Sequence, residues 1–142
     1  MAISARNVFA GTVSEIREGA VNAEVSLSVA GGDVIVSTLT LDSLKSLGLA
    51  VGVTATAYVK APSIMLITGD DSTRFSARNH LKGSVTEVKT GAVNSEVVVK
   101  LTGGSEVKAI VTNDAVTELA LSVGSSAGVL FKAGSVILGV SA

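Results

Sequence analysis

Two short polar segments occur twice in this chain of 142 residues. Ser4, Ala5, Arg6 and Asn7 return in the same order as Ser76, Ala77, Arg78 and Asn79, and Lys60, Ala61 and Ser63 return as Lys132, Ala133 and Ser135. A third repeated segment, Gly-Ala-Val-Asn, ends at Asn22 and again at Asn94. Hydroxyls, amides, one guanidinium and one ammonium per copy form a set dominated by hydrogen-bond donors. Ala5, Gly19, Ala20 and Ala61 add positions where a small side chain lets a ligand approach main-chain N–H groups. Such a set suits an anion. Near neutral pH phosphate keeps a proton and rewards an acceptor in its site, whereas molybdate, tungstate and sulfate are satisfied by donors alone.

Other chemistries find little support. Cysteine is absent and histidine occurs once, which removes disulfides, thiolate nucleophiles and a multi-histidine metal centre within one chain. No Ser-His-Asp set and no pair of acids suited to acid–base work recurs, and His80 aligns with Val8 of the other copy, so no catalytic residue is assigned and the chain reads as a non-enzyme. The repeated acids Glu15/Glu87 and Glu24/Glu96 fall on polar strand faces and read as solvated. Each repeated donor, taken alone, could equally start a strand, make a turn or carry a solvated charge. Their joint retention at matching places favours a site.

Aligning residues 4–68 with 76–140 at an offset of 72 needs no gap and gives 26 identities in 65 positions. The reading is therefore two repeats, 1–68 and 76–142, joined by a linker at 69–75 that carries Gly69, Asp70 and Asp71. Within each repeat the apolar period is two: Val21, Ala23, Val25, Leu27 and Val29 alternate with polar residues, as do Val93, Ser95, Val97, Val99 and Leu101. Strands are expected near 8–16, 21–29, 34–40, 53–60 and 63–68, with counterparts at 80–88, 93–101, 106–112, 125–132 and 135–140. Gly31-Gly32 and Gly103-Gly104 mark hairpin turns. Leu41, Leu44 and Leu47, with Thr40 or Asp42 as N-cap and Gly48 as terminator, predict one short helix, matched less strongly at 113–121. The fold class is all-β: two tandem OB-like five-stranded antiparallel barrels, each with one short helix.

A net charge of −1 and only 3% aromatic residues give neither a broad phosphate-binding face nor a stacking platform. Phe9, Tyr58, Phe75 and Phe131 do not recur as a set, which weakens the rival reading of an OB-type single-stranded nucleic-acid module. No apolar run is long enough to span a membrane and the N-terminal residues lack the pattern of a signal peptide, so a cytoplasmic protein with no membrane partner is expected.

The combination of SARN, GAVN and a closing KAxS, in fixed order and twice over, resembles the Mop or molybdate-type TOBE domain, in the tandem arrangement of the molbindins. The resemblance covers essentially the whole chain. It implies intracellular binding, storage and homeostasis of molybdate, with tungstate as a competing ligand and no catalytic cofactor. It also implies six repeats around a threefold axis, hence a homotrimer of a two-repeat chain, with ligands at repeat and subunit interfaces. One pocket would take Ser4, Ala5, Arg6 and Asn7 with Lys60, Ala61 and Ser63 of a neighbouring repeat, and its counterpart Ser76, Ala77, Arg78 and Asn79 with Lys132, Ala133 and Ser135. A second kind would use main-chain donors at Ala20, Val21 and Asn22, or at Ala92, Val93 and Asn94. No metal would be ligated directly by side chains. A third reading is a molybdate-responsive partner of a transporter or regulator. Pro62 against Gly134, Val8 against His80 and Ala10 against Lys82 predict two unequal classes of site.

Overall fold

The alternating pattern becomes ten strands in a computed structural model, which describes residues 1–69 and 73–141. The first half contains β1 (Asn7–Glu18), β2 (Asn22–Val29), β3 (Val34–Thr40), α1 (Leu41–Ser46), β4 (Thr54–Val59) and β5 (Met65–Ile67). The second repeats the order as β6 (Asn79–Thr90), β7 (Asn94–Leu101), β8 (Glu106–Thr112), α2 (Asn113–Glu118), β9 (Ser126–Phe131) and β10 (Ile137–Gly139). All pairings are antiparallel, and the strands form two curled five-stranded sheets, the OB-like architecture expected.

Local chemistry explains the connections. Thr40 caps α1 by accepting a hydrogen bond from the Ser43 N–H (3.1 Å), and Thr112 does the same for Ala115 (3.1 Å). Gly48 ends α1 at a φ of +64°, but its counterpart Ala120 holds φ +51°, a left-handed conformation that costs a side chain-bearing residue about 1–2 kcal/mol. The register slips between Val13 and Glu15 and again between Val85 and Glu87, so the same bulge bends the long first strand of each half. Inward residues fill the two sheets: Val13, Val25, Leu27 and Val59 in one, Val85, Val97, Val129 and Phe131 in the other, each at most 1% exposed.

The last strand of each half joins the other half's sheet. The sheet orders are β10-β4-β1-β2-β3 and β5-β9-β6-β7-β8, with Leu138 opposite Ala57 and Leu66 opposite Val129. The sequence pattern places each last strand in the barrel of its own repeat, and the structure exchanges them. Because the repeats have matching sequences, β5 and β10 offer nearly the same apolar edge to either sheet, so exchange conserves the contacts while tying the halves together.

The free edges of β3 and β8 are also served from across the molecule. Asn79, 1% exposed, donates from Nδ2 to the Val36 carbonyl (2.8 Å) and accepts at Oδ1 from the Val36 N–H (2.8 Å). Asn7 makes the corresponding pair with Lys108, donating to its carbonyl (2.8 Å) and accepting from its N–H (2.7 Å). Each carboxamide therefore mimics the main chain of an adjoining strand. Ser37 Oγ adds a buried bond to the Val136 carbonyl (2.8 Å). At the centre the two glycine turns meet: a Cβ placed on Gly31 would lie 1.7 Å from the Gly103 carbonyl oxygen.

Candidate oxyanion-binding site

Asn7 opens β1 opposite Val59, the last residue of β4, so residues 4–6 and 60–63 leave the sheet at the same corner. Asn79 opposite Phe131 places 76–78 and 132–135 alike. The structure thus brings SARN and KAxS together twice. Within one chain each SARN adjoins the KAxS of its own repeat; the pairing with a neighbouring repeat that the resemblance implies would draw on a second chain. Ala61–Ser63 and Ala133–Ser135 form single 3-10 turns that pack against β8 and β3 of the opposite half. Ser63 and Ser135 N–H groups are used within those turns, bonding the carbonyls of Lys60 and Lys132 (3.0 Å each).

Arg6, Lys60, Arg78 and Lys132 all reach solvent, beside half-buried Ala5 and Ala77 and buried Ala61 and Ala133. Exposed cationic residues thus neighbour small residues along the chain, a combination suited to anions through charge and main-chain donors together. Asn7 and Asn79 enter differently, because both side-chain amides are occupied by Lys108 and Val36. They fix the corner rather than face out of it.

The Pro62/Gly134 substitution leaves the turn unchanged: Lys60 and Lys132 have φ/ψ of −71°/138° and −74°/142°. The two corners differ instead in their charged neighbours. Arg78 Nη1 bonds Glu24 Oε2 of the first half (2.5 Å), whereas Arg6 forms no ion pair among the described residues. A groove of about 460 Å³ beside Arg6 is lined also by Lys108 and Glu106, where the other half has Val36 and Val34. Sequence reasoning missed Glu24, whose retention as Glu96 resembled that of any solvated acid, and missed Lys108, which does not recur. Glu15 is held by Arg17 (2.9 Å), whose pKa this hydrogen bond raises.

The second set of candidates lies at the hairpin tips. Gly19 and Gly91 N–H groups bond the carbonyls of Asn22 (2.8 Å) and Asn94 (2.9 Å), closing tight turns. Ala20, Val21 and Asn22, like Ala92, Val93 and Asn94, are exposed there, Val21 and Val93 at 72% and 70%. Each tip lies at the far end of β1 or β6 from the SARN of its own repeat, but the SARN of one half adjoins the third strand of the other, and there Arg78 reaches Glu24, two residues from Asn22. Among the described residues no group of three or more His, Asp or Glu side chains could hold a metal ion, and no helix is long and apolar enough to cross a membrane.

Two curled five-stranded sheets of the same strand order, each with the same donor-rich corner, make this a tandem-repeat β protein, and family comparison places both repeats. The TOBE domain model matches residues 3–66 and 76–138, and the chain belongs to that family. It is similar along 99% of its length, at 52% identity and a TM-score of 0.95, to all of a crystal structure of the cytoplasmic molybdate-binding protein ModG with molybdate bound. It is 41% identical over 140 residues to the molybdenum transport protein ModE of Herbaspirillum seropedicae and 39% identical over 138 residues to the molybdenum-pterin-binding protein MopA of Rhodobacter capsulatus. The chain spans about half the length of these two relatives, 52% of each. A single repeat suffices for molybdenum-pterin-binding protein 2 of Clostridium pasteurianum, 45% identical over 67 residues that make up 98% of that protein.

Proposed function

We propose that the chain is a non-enzymatic, cytoplasmic binder of molybdate, with tungstate as a competing ligand, that stores and buffers the oxyanion. The observation that carries this reading is the full-length agreement with molybdate-bound ModG, at 52% identity and a TM-score of 0.95. The repeated corners supply the chemistry: Arg6 with Lys60 and Arg78 with Lys132 provide charge, while Ser4, Ser63, Ser76, Ser135 and small-residue main chain provide donors. Ala20, Val21 and Asn22, with Ala92, Val93 and Asn94, form the second kind of site when chains assemble. Three chains around a threefold axis would bring those tips together and pair each SARN with a neighbour's KAxS. The exposed apolar pairs Val21/Val93, Val51/Val123 and Met65/Ile137 recur in both halves and support such an assembly.

Calorimetric titration with molybdate, tungstate, sulfate and phosphate tests the reading. Molybdate and tungstate should bind and phosphate should not; equal heats for phosphate would overturn the donor-only argument. Lys60→Ala should weaken one class of sites about tenfold or more, from the roughly 1.5–3 kcal/mol of a charge-assisted hydrogen bond. Unchanged binding in that variant would place the pocket elsewhere.

A further inference from the structure

Both SARN segments are tied to the opposite half in the same way, yet their arginines take different directions. Asn79 fixes the second segment to Val36 of β3; two residues further on, Thr38 stands directly across the ladder from Glu24 of β2. Arg78 turns that way, and its Nη1 meets Glu24 Oε2 (2.5 Å). Asn7 fixes the first segment to Lys108 of β8, and there Ile110 stands across from Glu96 in the same manner. Arg6 instead lines the groove with Ser105, Glu106 and Lys108, and among the described residues neither Arg6 nor Glu96 has an ion-pair partner.

The residues along the two third strands account for the difference. Val36 has Lys108 as its twin, and exposed Thr38 has half-buried Ile110. A guanidinium that follows β3 toward Glu24 therefore passes a short hydroxyl side chain and no like charge. One that follows β8 toward Glu96 starts beside an ammonium and must pass a branched apolar side chain, while Glu106, where the first half has Val34, adds an attraction on the groove side. Only 24% of the Glu24 side chain is exposed, so its pair with Arg78 is screened less than a fully solvated one. Arg17, directly across β1 from Glu24 and bonded through Nε to Glu15 (2.9 Å), is a second cation beside that carboxylate.

We infer that Glu24 is a positioning residue of the second corner, a built-in competitor that an oxyanion must displace from Arg78. The inference rests on the reading of the corners as oxyanion sites and adds an order of affinity to it. At the first corner the Arg6 guanidinium has no carboxylate to give up, so that corner fills at lower ligand concentration. At the second, the exchange of Glu24 for the ligand lowers affinity about two- to fivefold, the weight of a partly exposed ion pair. The presence of Arg17 beside Glu24 eases the exchange, because the displaced carboxylate keeps a cation next to it. A store with two such affinities takes up and releases its cargo over a wider range of free concentration than one with equal sites.

Calorimetric titration with molybdate in the Arg6→Ala variant, where only the second corner keeps its guanidinium, is the test. Adding Glu24→Gln to Arg6→Ala should raise molybdate affinity about two- to fivefold, while adding Glu96→Gln, the same loss of charge at the twin position, should change it by less than about twofold. In an Arg78→Ala background Glu24→Gln should change nothing, since no guanidinium is there to be released. Unfolding midpoints, unchanged by Glu24→Gln in either background, show that affinity and not folding is being read. The inference is overturned if Glu24→Gln leaves affinity unchanged in Arg6→Ala, if it raises affinity equally in Arg78→Ala, if Glu96→Gln has the same effect, or if Arg6→Ala binds no molybdate while the wild type does. Each of these outcomes leaves the storage reading standing; that reading falls, and Glu24's role with it, if the wild type itself binds no molybdate.

Discussion

Replacing Asn79 by alanine should damage the fold. The side chain is 1% exposed and its two hydrogen bonds, both 2.8 Å, end on the N–H and carbonyl of Val36, which is itself 7% exposed. Truncation leaves a buried donor and a buried acceptor unmatched, at about 1–3 kcal/mol each. Some relaxation or entry of water will recover part of that loss, so the expected destabilisation is about 3–4 kcal/mol, a large fraction of the roughly 5–15 kcal/mol that holds a domain together. Asn79→Asp keeps the acceptor but sets a carboxylate against the Val36 carbonyl, and should be no better. Urea unfolding at fixed protein concentration, followed by circular dichroism, measures the change. Asn7→Ala should cost less, because its partner Lys108 is only half-buried. A loss below about 1 kcal/mol for Asn79→Ala would refute the view of Asn79 as a strand mimic and return its carboxamide to the list of free ligand donors.

Two other substitutions probe the backbone. Ala120→Gly should stabilise the protein by about 0.5–1 kcal/mol, the relief of a left-handed φ of +51° less the greater flexibility of unfolded glycine, and should raise the thermal midpoint; Gly48→Ala, at φ +64°, should do the reverse. Gly31→Ala meets both a φ of +82° and the Gly103 carbonyl at 1.7 Å, whereas Gly32→Ala meets only a φ of +90° in open space. The first should cost about 1–3 kcal/mol more than the second in urea unfolding, and equal costs would deny close contact between the two turns.

Much of this architecture is legible in the sequence, for definite physical reasons. Val25, Leu27 and Val29 announce a half-buried strand because side chains alternate strictly across a pleat, and Thr40 announces a helix start because its hydroxyl can reach the third N–H. The partner of a strand is another matter. Leu66 and Leu138 carry the same apolar pattern whichever sheet receives them, so nothing in their spacing reveals the exchange. Nor does a repeated asparagine disclose whether its amide will meet a ligand or a neighbouring backbone, since both ask for one donor and one acceptor. Repetition singles out SARN and KAxS, and the strand register sets the two segments at one corner, while the Arg78–Glu24 contact depends on a path between halves that no local pattern records.

The crossed strands bear on how a two-repeat chain could have arisen. A lone repeat with its last strand donated outward is incomplete, and two copies that trade strands complete each other only when they meet. Joining them by a short connection replaces that encounter with one inside a single molecule. Mutual completion then no longer depends on how much protein the cell contains. Once the copies are bound in sequence, each is also free to change separately, and the carboxylate beside Arg78 marks where the twins have ceased to be equivalent.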